Sequence, residues 1–452
     1  MKFDLVKGKC IDLSFEGKGV VKLSYGTVFV DGLFPDEEAE IEIQYKRAGS
    51  YFGKVYRLIK KSENRIQPLC GVCTACGGCQ LQQLNYSAQL AYKQQIVKNA
   101  FAREGINDIE ILPTIGMSNP YEYRNKIQVP IGRDPHGHIV TGFYRSGTHK
   151  IIPIDKCYIE CAKAGPIIKE LKNLMKLFHY APYDEDYRTG LVRHILIRTS
   201  YHYDEIMVTL VTTQDEFKGK RNFISEWVKR CPEITTIVQN INPRDTNVIL
   251  GEKERVLYGP GTIKDSILGI DFIISSKSFF QVNPIQVEKL YQKAIELSEI
   301  TSKSSVFDAY CGIGTISLIV AKTANNVTGV EIVKEAIFDA KKNAKLNNIN
   351  NVKFLVGDAG KVLHDLIADG EYFDCIFVDP PRKGLSEDFI NSLLEIKPKK
   401  IVYVSCDPNT LARDIRLLSN LYNYDKAQPI DMFPMTFHVE TVVSLIYKRY
   451  SE

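Results

Sequence analysis

From Asp271 onward the chain alternates short apolar runs with stretches of helical periodicity, and that alternation confines it to a doubly wound, mostly parallel sheet. SSVFDAYCGIGTISLIVAKTA reads as strand, glycine-rich turn and helix, and NVTGVEIV, KFLVGDAG, YFDCIFVDPPRKG and IVYVSCDPNTLARD repeat the theme. The runs end in polar groups: Asp308 just ahead of Gly312, then Glu331, Asp358, Asp379 and Cys406. In open α/β sheets, residues at the carboxyl ends of the strands border the crevice that binds ligands. Gly312 and Gly314 lack the third glycine of a dinucleotide fingerprint. An acid at Asp308 would repel a pyrophosphate but suits a cationic cofactor with an amino-acid tail. The expectation is therefore S-adenosylmethionine, with Glu331 on the ribose hydroxyls and Asp358 near the adenine amine.

Cys406 interrupts the last parallel run. The strand Ile401–Val404 breaks at Ser405-Cys406-Asp407-Pro408 and a helix restarts near Thr410. Pro408 keeps Asp407 out of helical geometry, so the thiol is presented at a strand end. Inert packing is the competing reading for any free cysteine. The closing segment QPIDMFPMTFHVETVVSLIYKR reads as a strand pair with His438 and Glu440 on one face. An acid leading into Val442–Ile446 costs desolvation unless it is used or paired, which makes Glu440 a candidate base and His438 its competitor.

The other half of the chain reads differently. Residues 1–60 alternate apolar and polar between Gly and Pro-Asp turns, as an OB-like five-stranded barrel would, with Lys46, Arg47, Tyr51 and Lys54 offering charge and stacking surface. LCGVCTACGGCQ then sets Cys70, Cys73, Cys76 and Cys79 three residues apart. The N-terminus has no signal-peptide run and no stretch is long and apolar enough for a membrane helix, so a cytoplasmic location is expected. There, eleven cysteines argue for metal or catalysis over disulfides. Close thiols followed by a distant one, Cys157 with Cys161 nearby, resemble iron–sulfur ligation more than zinc. A helix over 86–105 follows the cysteines. From Tyr121 to Lys150, Arg124, Lys126, Arg133 and Arg145 interleave with Tyr121, Tyr123, Phe143 and Tyr144, the charge and ring surface that single-stranded RNA needs. A second basic segment, YRTGLVRHILIRTS, adds Arg188, Arg193 and Arg198 to an α+β region ending near Ile270. Net charge is only +4, so any nucleic-acid surface is a local patch.

FDAYCGIGT, FFQVNP (Phe279–Pro284), DPPRKG, SCDP and HVET occur in that order. With them the whole chain resembles the TRAM-domain RNA 5-methyluridine methyltransferases, the family of the bacterial ribosomal RNA uracil-5 enzymes. The resemblance implies a TRAM barrel over 1–60, a central iron–sulfur and RNA-binding domain over 61–270, and a Rossmann-like methyltransferase domain over 271–452. The helix over 86–104 is expected to pack on the last of these. It implies a [4Fe-4S] cluster on Cys70, Cys76, Cys79 and Cys157, leaving Cys73 as an extra thiol. Gln281, Tyr310, Thr315, Glu331, Asp358 and Asp379 would line the cofactor site, with Cys406 as nucleophile and Glu440 as base. Arg124, Lys126 and Phe279 would meet RNA. The expected target is 23S ribosomal RNA, methylated by a monomer with neither DNA nor membrane as partner. The barrel and cysteines together count against a transfer-RNA T-loop enzyme, which usually lacks them. Arg382 stands where an RNA cytosine-5 enzyme would carry a second cysteine. Met435 occupies a position where the family often has histidine.

Overall fold

The computed structural model describes residues 5–145, 148–245 and 247–450. Leu5–Leu13 (β1), Gly19–Leu23 (β2), Gly26–Asp31 (β3), Glu38–Arg47 (β4) and Ser50–Lys60 (β5) close into a barrel in the order β1-β2-β3-β5-β4. The alternation in β4 sends Ala39, Ile41 and Ile43 inward and Glu40 and Glu42 toward solvent, the period of two that a half-buried strand requires.

A one-turn helix, Cys73–Cys76 (α1), carries two of the clustered thiols. Tyr86–Arg103 (α2) follows, capped by Asn85, whose side chain accepts from the Ala88 N–H. The short strand Glu110–Ile111 (β6) comes next. The central body is built from Lys126–Arg133 (β7), Ile139–Tyr144 (β8), Ile151–Pro153 (β9) and Ala164–Leu177 (α3). Val192–Thr199 (β10), Ile206–Thr212 (β11), Lys220–Arg230 (α4), Thr236–Ile241 (β12) and Lys253–Tyr258 (β13) complete it. Its seven strands run in the order β13-β12-β11-β10-β7-β8-β9, and one apolar core joins the sheet to α3 and α4.

Thr262–Ile267 (β14) and Ile270–Ser275 (β15) form a hairpin that runs across residue 270. Ile263, Ile267, Ile270, Phe272 and Ile274 of this hairpin share a core with Val287, Leu290, Leu318 and Phe377 of the parallel-sheet region. The expected break after residue 270 thus falls inside β15.

The parallel sheet is then laid down by Pro284–Ser298 (α5), Ser305–Ala309 (β16), Thr315–Val320 (α6), Asn326–Glu331 (β17) and Lys334–Leu346 (α7). Val352–Val356 (β18), Ala359–Ala368 (α8), Cys375–Val378 (β19) and Glu387–Ile396 (α9) continue it. Lys400–Ser405 (β20), Pro408–Leu418 (α10), Tyr422–Ile430 (β21) and Glu440–Tyr447 (β22) close it. The order is β18-β17-β16-β19-β20-β22-β21-β6, parallel from β18 to β20 and antiparallel where β22 enters. The reversal from β16-β17-β18 to β16-β19-β20 creates a topological switch point, with Gly312 and Gly314 in the turn after β16.

α2 lies on this sheet. Tyr92, Ile96, Val97, Ala100 and Phe101 share a core with Tyr403, Leu411, Ile415 and Tyr422, and β6 pairs with β21 at the sheet edge. Leu13 and Phe34 of the barrel join the same core. Among the described residues no helix is long and apolar enough to cross a membrane.

Two sequence expectations need correction. β10 is buried along its whole length, so Arg193 and Arg198 are not a nucleic-acid surface. Arg193 donates to the carbonyls of Asn242 and Arg244, and Arg198 to that of Ser278. Burial pushes the Arg198 guanidinium down to about 10. Asp308 lies inside β16, 1% exposed, where Ser317 Oγ donates to it at 2.5 Å. It sits among core residues and does not border the crevice where a cationic cofactor would meet it.

Candidate active site

The carboxyl edge of the parallel sheet opens into a cavity of about 710 Å³. Phe279, Gln281, Tyr310, Thr315, Glu331, Asp358, Asp379, Cys406 and Glu440 all line it. Phe279 and Gln281 come from the segment between β15 and α5, and each of the others follows a parallel strand, opens a helix beyond one, or, like Glu440, begins the antiparallel strand that returns there. Arg124 and Lys126 are not among the lining residues.

Two of the acids are oriented by backbone N–H groups. Glu331 ends β17 and accepts from the N–H groups of Gly312 (3.3 Å) and Val333 (3.0 Å), which fixes its carboxylate beside the glycine turn. Asp358 caps α8, accepting through Oδ1 from Gly360 and Lys361, with Oδ2 left for a ligand. Tyr310, the residue before Cys311 in the turn, holds φ at 65°, a left-handed conformation rare for a bulky side chain.

Cys406 follows β20 as the sequence suggests, but α10 starts at Pro408, its first helical residue, two positions earlier than expected. Asp407 caps that helix in extended geometry, accepting from Asn409 and Thr410. The thiol is half-buried and pushed up to about 12, first by burial and then by the charges of Glu440 and Asp379, with the Arg382 guanidinium opposing. Glu440 is 5% exposed and rises to about 8 through burial and Asp379, again opposed by Arg382. Burial alone lifts Asp379 to about 7. His438 precedes β22 instead of lying on it, yet lines the same cavity. Arg382 Nη2 reaches both its ring nitrogens at 3.3 Å. Burial and that guanidinium push the imidazole down to about 4, so it is neutral at pH 7 and a weak base.

Arg382, Tyr291 and Phe433 also line the cavity, and only Arg382 had a sequence signal, its place in DPPRKG. Tyr291 and Phe433 arrive from α5 and from the loop between β21 and β22, and nothing in their local sequence distinguishes them from core aromatics. Met435, at φ 70°, is pinned by Gln89, whose Oε1 accepts from its N–H at 3.0 Å.

The cysteines gather at the other side of that loop. Cys79 and Cys157, far apart in sequence, pack against one small core of Met117, Tyr123, Ile159 and Met435. The Cys79 thiol is pushed up to about 12 by burial and then by Cys76 and Cys70, and Cys157 is raised by burial, Glu160, Cys79 and Cys76. Thiols brought together from distant parts of the chain are a donor set suited to a thiophilic cation. Among the described residues no three His, Cys, Asp or Glu side chains already stand in a metal-holding arrangement. Arg124 lies next to this site, its guanidinium 5.9 Å from the Phe433 ring and its Nε buried without a partner. Lys126, half-buried, is pushed down to about 8 by burial and by Arg198.

The family model for tRNA (uracil-5-)-methyltransferases matches residues 85–448. An RNA methyltransferase of Halalkalibacterium halodurans is 44% identical over 450 residues, covering 99% of this chain and 98% of the relative. One from Staphylococcus aureus is 42% identical over 442 residues, covering 98% of both. Among solved structures, the Pyrococcus abyssi tRNA (uracil-54, C5)-methyltransferase in complex with S-adenosyl-L-homocysteine matches with a TM-score of 0.78 at 27% identity. That match covers 98% of this chain and 100% of the archaeal one.

Proposed function

The chain belongs to the tRNA (uracil-5-)-methyltransferase family, and on that premise we propose that it methylates C5 of a uridine in RNA through a covalent adduct between Cys406 and uracil C6. It is an S-adenosylmethionine-dependent RNA methyltransferase. The observation that carries the finer reading is the meeting of Cys406, Glu440 and Asp379 in the cavity that also holds the strand-end acids.

Bound there, S-adenosylmethionine supplies the electrophilic methyl group that C5 accepts. Glu331 would hold the ribose hydroxyls, and Asp358 would take the adenine amine through Oδ2. Uracil C5 is a poor nucleophile while its ring stays conjugated. Addition of the Cys406 sulfur at C6 breaks the C5–C6 double bond and makes C5 an enolate carbon. The thiol must lose its proton as it attacks, and Asp379, held near 7, is a matched acceptor that leaves Glu440 free for the later step. After methylation C5 still carries its hydrogen. Glu440 removes it, the C5–C6 double bond re-forms and the thiolate leaves. At about 8 against about 4, Glu440 is better matched to that step than His438. The uridine must leave its stack to enter, and Phe279, 71% exposed at the rim, is a surface for it to rest on.

Cys70, Cys76, Cys79 and Cys157 would hold the [4Fe-4S] cluster, which has no step in this chemistry. The packing of Cys79 and Cys157, distant in sequence, against one small core supports the donor set. Anaerobically purified protein should be brown with about four irons per chain. Stoichiometric zinc in colourless protein would contradict this.

The proposed substrate is 23S ribosomal RNA, and the location cytoplasmic. The archaeal transfer-RNA enzyme favours a second reading, a T-loop uridine. Because it matches nearly the whole chain, the barrel no longer separates the two classes. Nucleoside mass spectrometry of ribosomal and transfer RNA from a deletion strain distinguishes them.

The chemistry is tested by two variants. Cys406→Ala should give neither product nor adduct. Glu440→Gln should transfer its methyl and stall as a denaturation-resistant protein–RNA adduct, since a lost general base costs about 10²–10⁴ in rate. Product release by Glu440→Gln at the normal rate, with His438→Ala trapping the adduct instead, would reassign the base. Methylation by Cys406→Ala would rule out the covalent route.

A further inference from the structure

α2 presents Tyr86, Gln89 and Lys93 at spacings of three and four, hence on one face, and all three bond to the segment Asp431–Met435. Lys93 Nζ donates to Asp431 Oδ1 at 2.5 Å and to the Phe433 carbonyl at 3.0 Å. Both side chains of this ion pair are wholly buried. Tyr86 donates to Asp431 Oδ2 at 2.9 Å, and the Phe433 N–H donates to Asp431 Oδ1 at 3.2 Å.

The segment they hold leads into the chemistry. The Phe433 carbonyl that accepts from Lys93 also accepts from Thr436 Oγ1 at 2.8 Å, and Thr436 Oγ1 accepts from the His438 N–H at 3.3 Å. Glu440 follows two residues on. Ile430 and Glu440 are ladder partners, so residues 431–439 form a loop closed at its base by β21 and β22. The body of that loop rests on α2, which lies outside the strand–helix repeat. Phe433, His438 and Glu440 all line the cavity. A buried ion pair is weak evidence of stability, because apolar side chains of similar size often serve as well. What it supplies here is direction: two donated bonds fix one carboxylate and one carbonyl.

We infer that Lys93 is a positioning residue for the methyl-transfer site, setting through Asp431 and the Phe433 carbonyl the loop that carries Phe433 and His438 and leads into Glu440. The inference rests on the roles proposed above for Cys406 and Glu440. It separates the residue that removes the C5 proton from the residue that puts it in place.

The test uses the full-length protein with Lys93→Met, the charge-neutral pair Lys93→Met/Asp431→Asn, Glu440→Gln, and Lys98→Met on the exposed face of α2 as control. Cofactor affinity, turnover and denaturation-resistant adduct are measured together. The double variant should melt cooperatively and bind S-adenosylmethionine within about twofold of wild type. Its turnover should fall on the order of 10–100-fold, the scale of a small misplacement of a catalytic group, with adduct accumulating during turnover. Lys98→Met should behave as wild type. If Lys93→Met alone does not fold, the double variant decides. Wild-type turnover in the double variant overturns the proposal. So does a loss of turnover that only tracks lost cofactor affinity and a lower melting temperature, without adduct. If Glu440→Gln itself traps no adduct, the base assignment fails. Lys93 is then judged by whether turnover falls at unchanged cofactor affinity.

Discussion

Glu440 keeps its proton to about pH 8 because burial withdraws water and Asp379 lies nearby, and Asp379 keeps its own to about pH 7 through burial alone. A sulfonium brought against them stabilises the charged forms, so cofactor binding should release protons. The sign follows from linkage: the free protein holds more protons than the complex between the bound and free values, so affinity rises with pH up to about 8 and then levels. We expect the Kd of S-adenosylmethionine to fall roughly tenfold between pH 6 and pH 8.5, as it would if binding made one carboxyl about ten times more acidic. S-adenosylhomocysteine shares the amino-acid tail but lacks the charge at sulfur, and its Kd should move far less. Equal pH dependence of the two ligands, measured by titration calorimetry, would mean that these carboxyls do not face the cofactor's charge. Glu440, Asp379 and Cys406 were legible as polar residues at the ends of apolar runs. Asp308 carried the same signature and misled, because β16 continues through it to Ala309 while β19 stops at Val378, just before Asp379. The alternation of residues does not mark the last paired position of a strand, and a shift of that position moves a side chain from crevice to core.

Basic strands show the same limit at the scale of elements. VRHILIRT in β10 and KIQVPIGR in β7 look alike, each with cations among β-branched residues. β10 is central in the seven-stranded sheet and buried throughout, so its arginines satisfy carbonyls inside the protein. β7 begins with Lys126, which is only half-buried and has no ion-pair partner among the described residues. The two should therefore fail differently. Arg193→Met leaves the carbonyls of Asn242 and Arg244 without their donor and should cost about 1–3 kcal/mol of stability, with the salt dependence of RNA binding unchanged. Lys126→Ala should leave stability intact and lower the slope of log affinity against log salt by about one. Denaturant melts and salt titrations of both variants check the distinction, and an unchanged slope for Lys126→Ala would remove it from the RNA surface. Strand identity was readable from composition. The depth of a strand in its sheet depends on partners elsewhere in the chain.

At the scale of the whole molecule, barrel, cysteine region and parallel sheet follow one another in sequence, but α2 ties them into one body. Tyr92 donates to the Ser14 carbonyl at 2.6 Å, and Leu13 and Phe34 of the barrel region bury against the core that holds α2 and β20. Glu37, wholly buried, pairs with Arg65 at 2.5 Å where the barrel passes into the cysteine region. The barrel also touches the catalytic loop directly, since the Phe15 ring lies 5.9 Å from that of Phe437, whose ring packs tilted against His438 at 4.2 Å. A barrel that only collected RNA could be removed at a cost in substrate affinity alone. This one also covers apolar surface and supports the residues beside Glu440. Deletion of residues 1–60 should therefore lower the melting temperature and reduce turnover at saturating RNA by about tenfold or more, the order expected when a catalytic group is displaced. The reduction should persist with a stem-loop too short to reach the barrel's outer face, because the lost contact is between Phe15 and Phe437 and not with RNA. Phe15→Ala in the full chain should reproduce part of the turnover loss with RNA affinity unchanged. A truncated protein that keeps wild-type turnover and loses only affinity would show that the barrel is a separable RNA-collecting module.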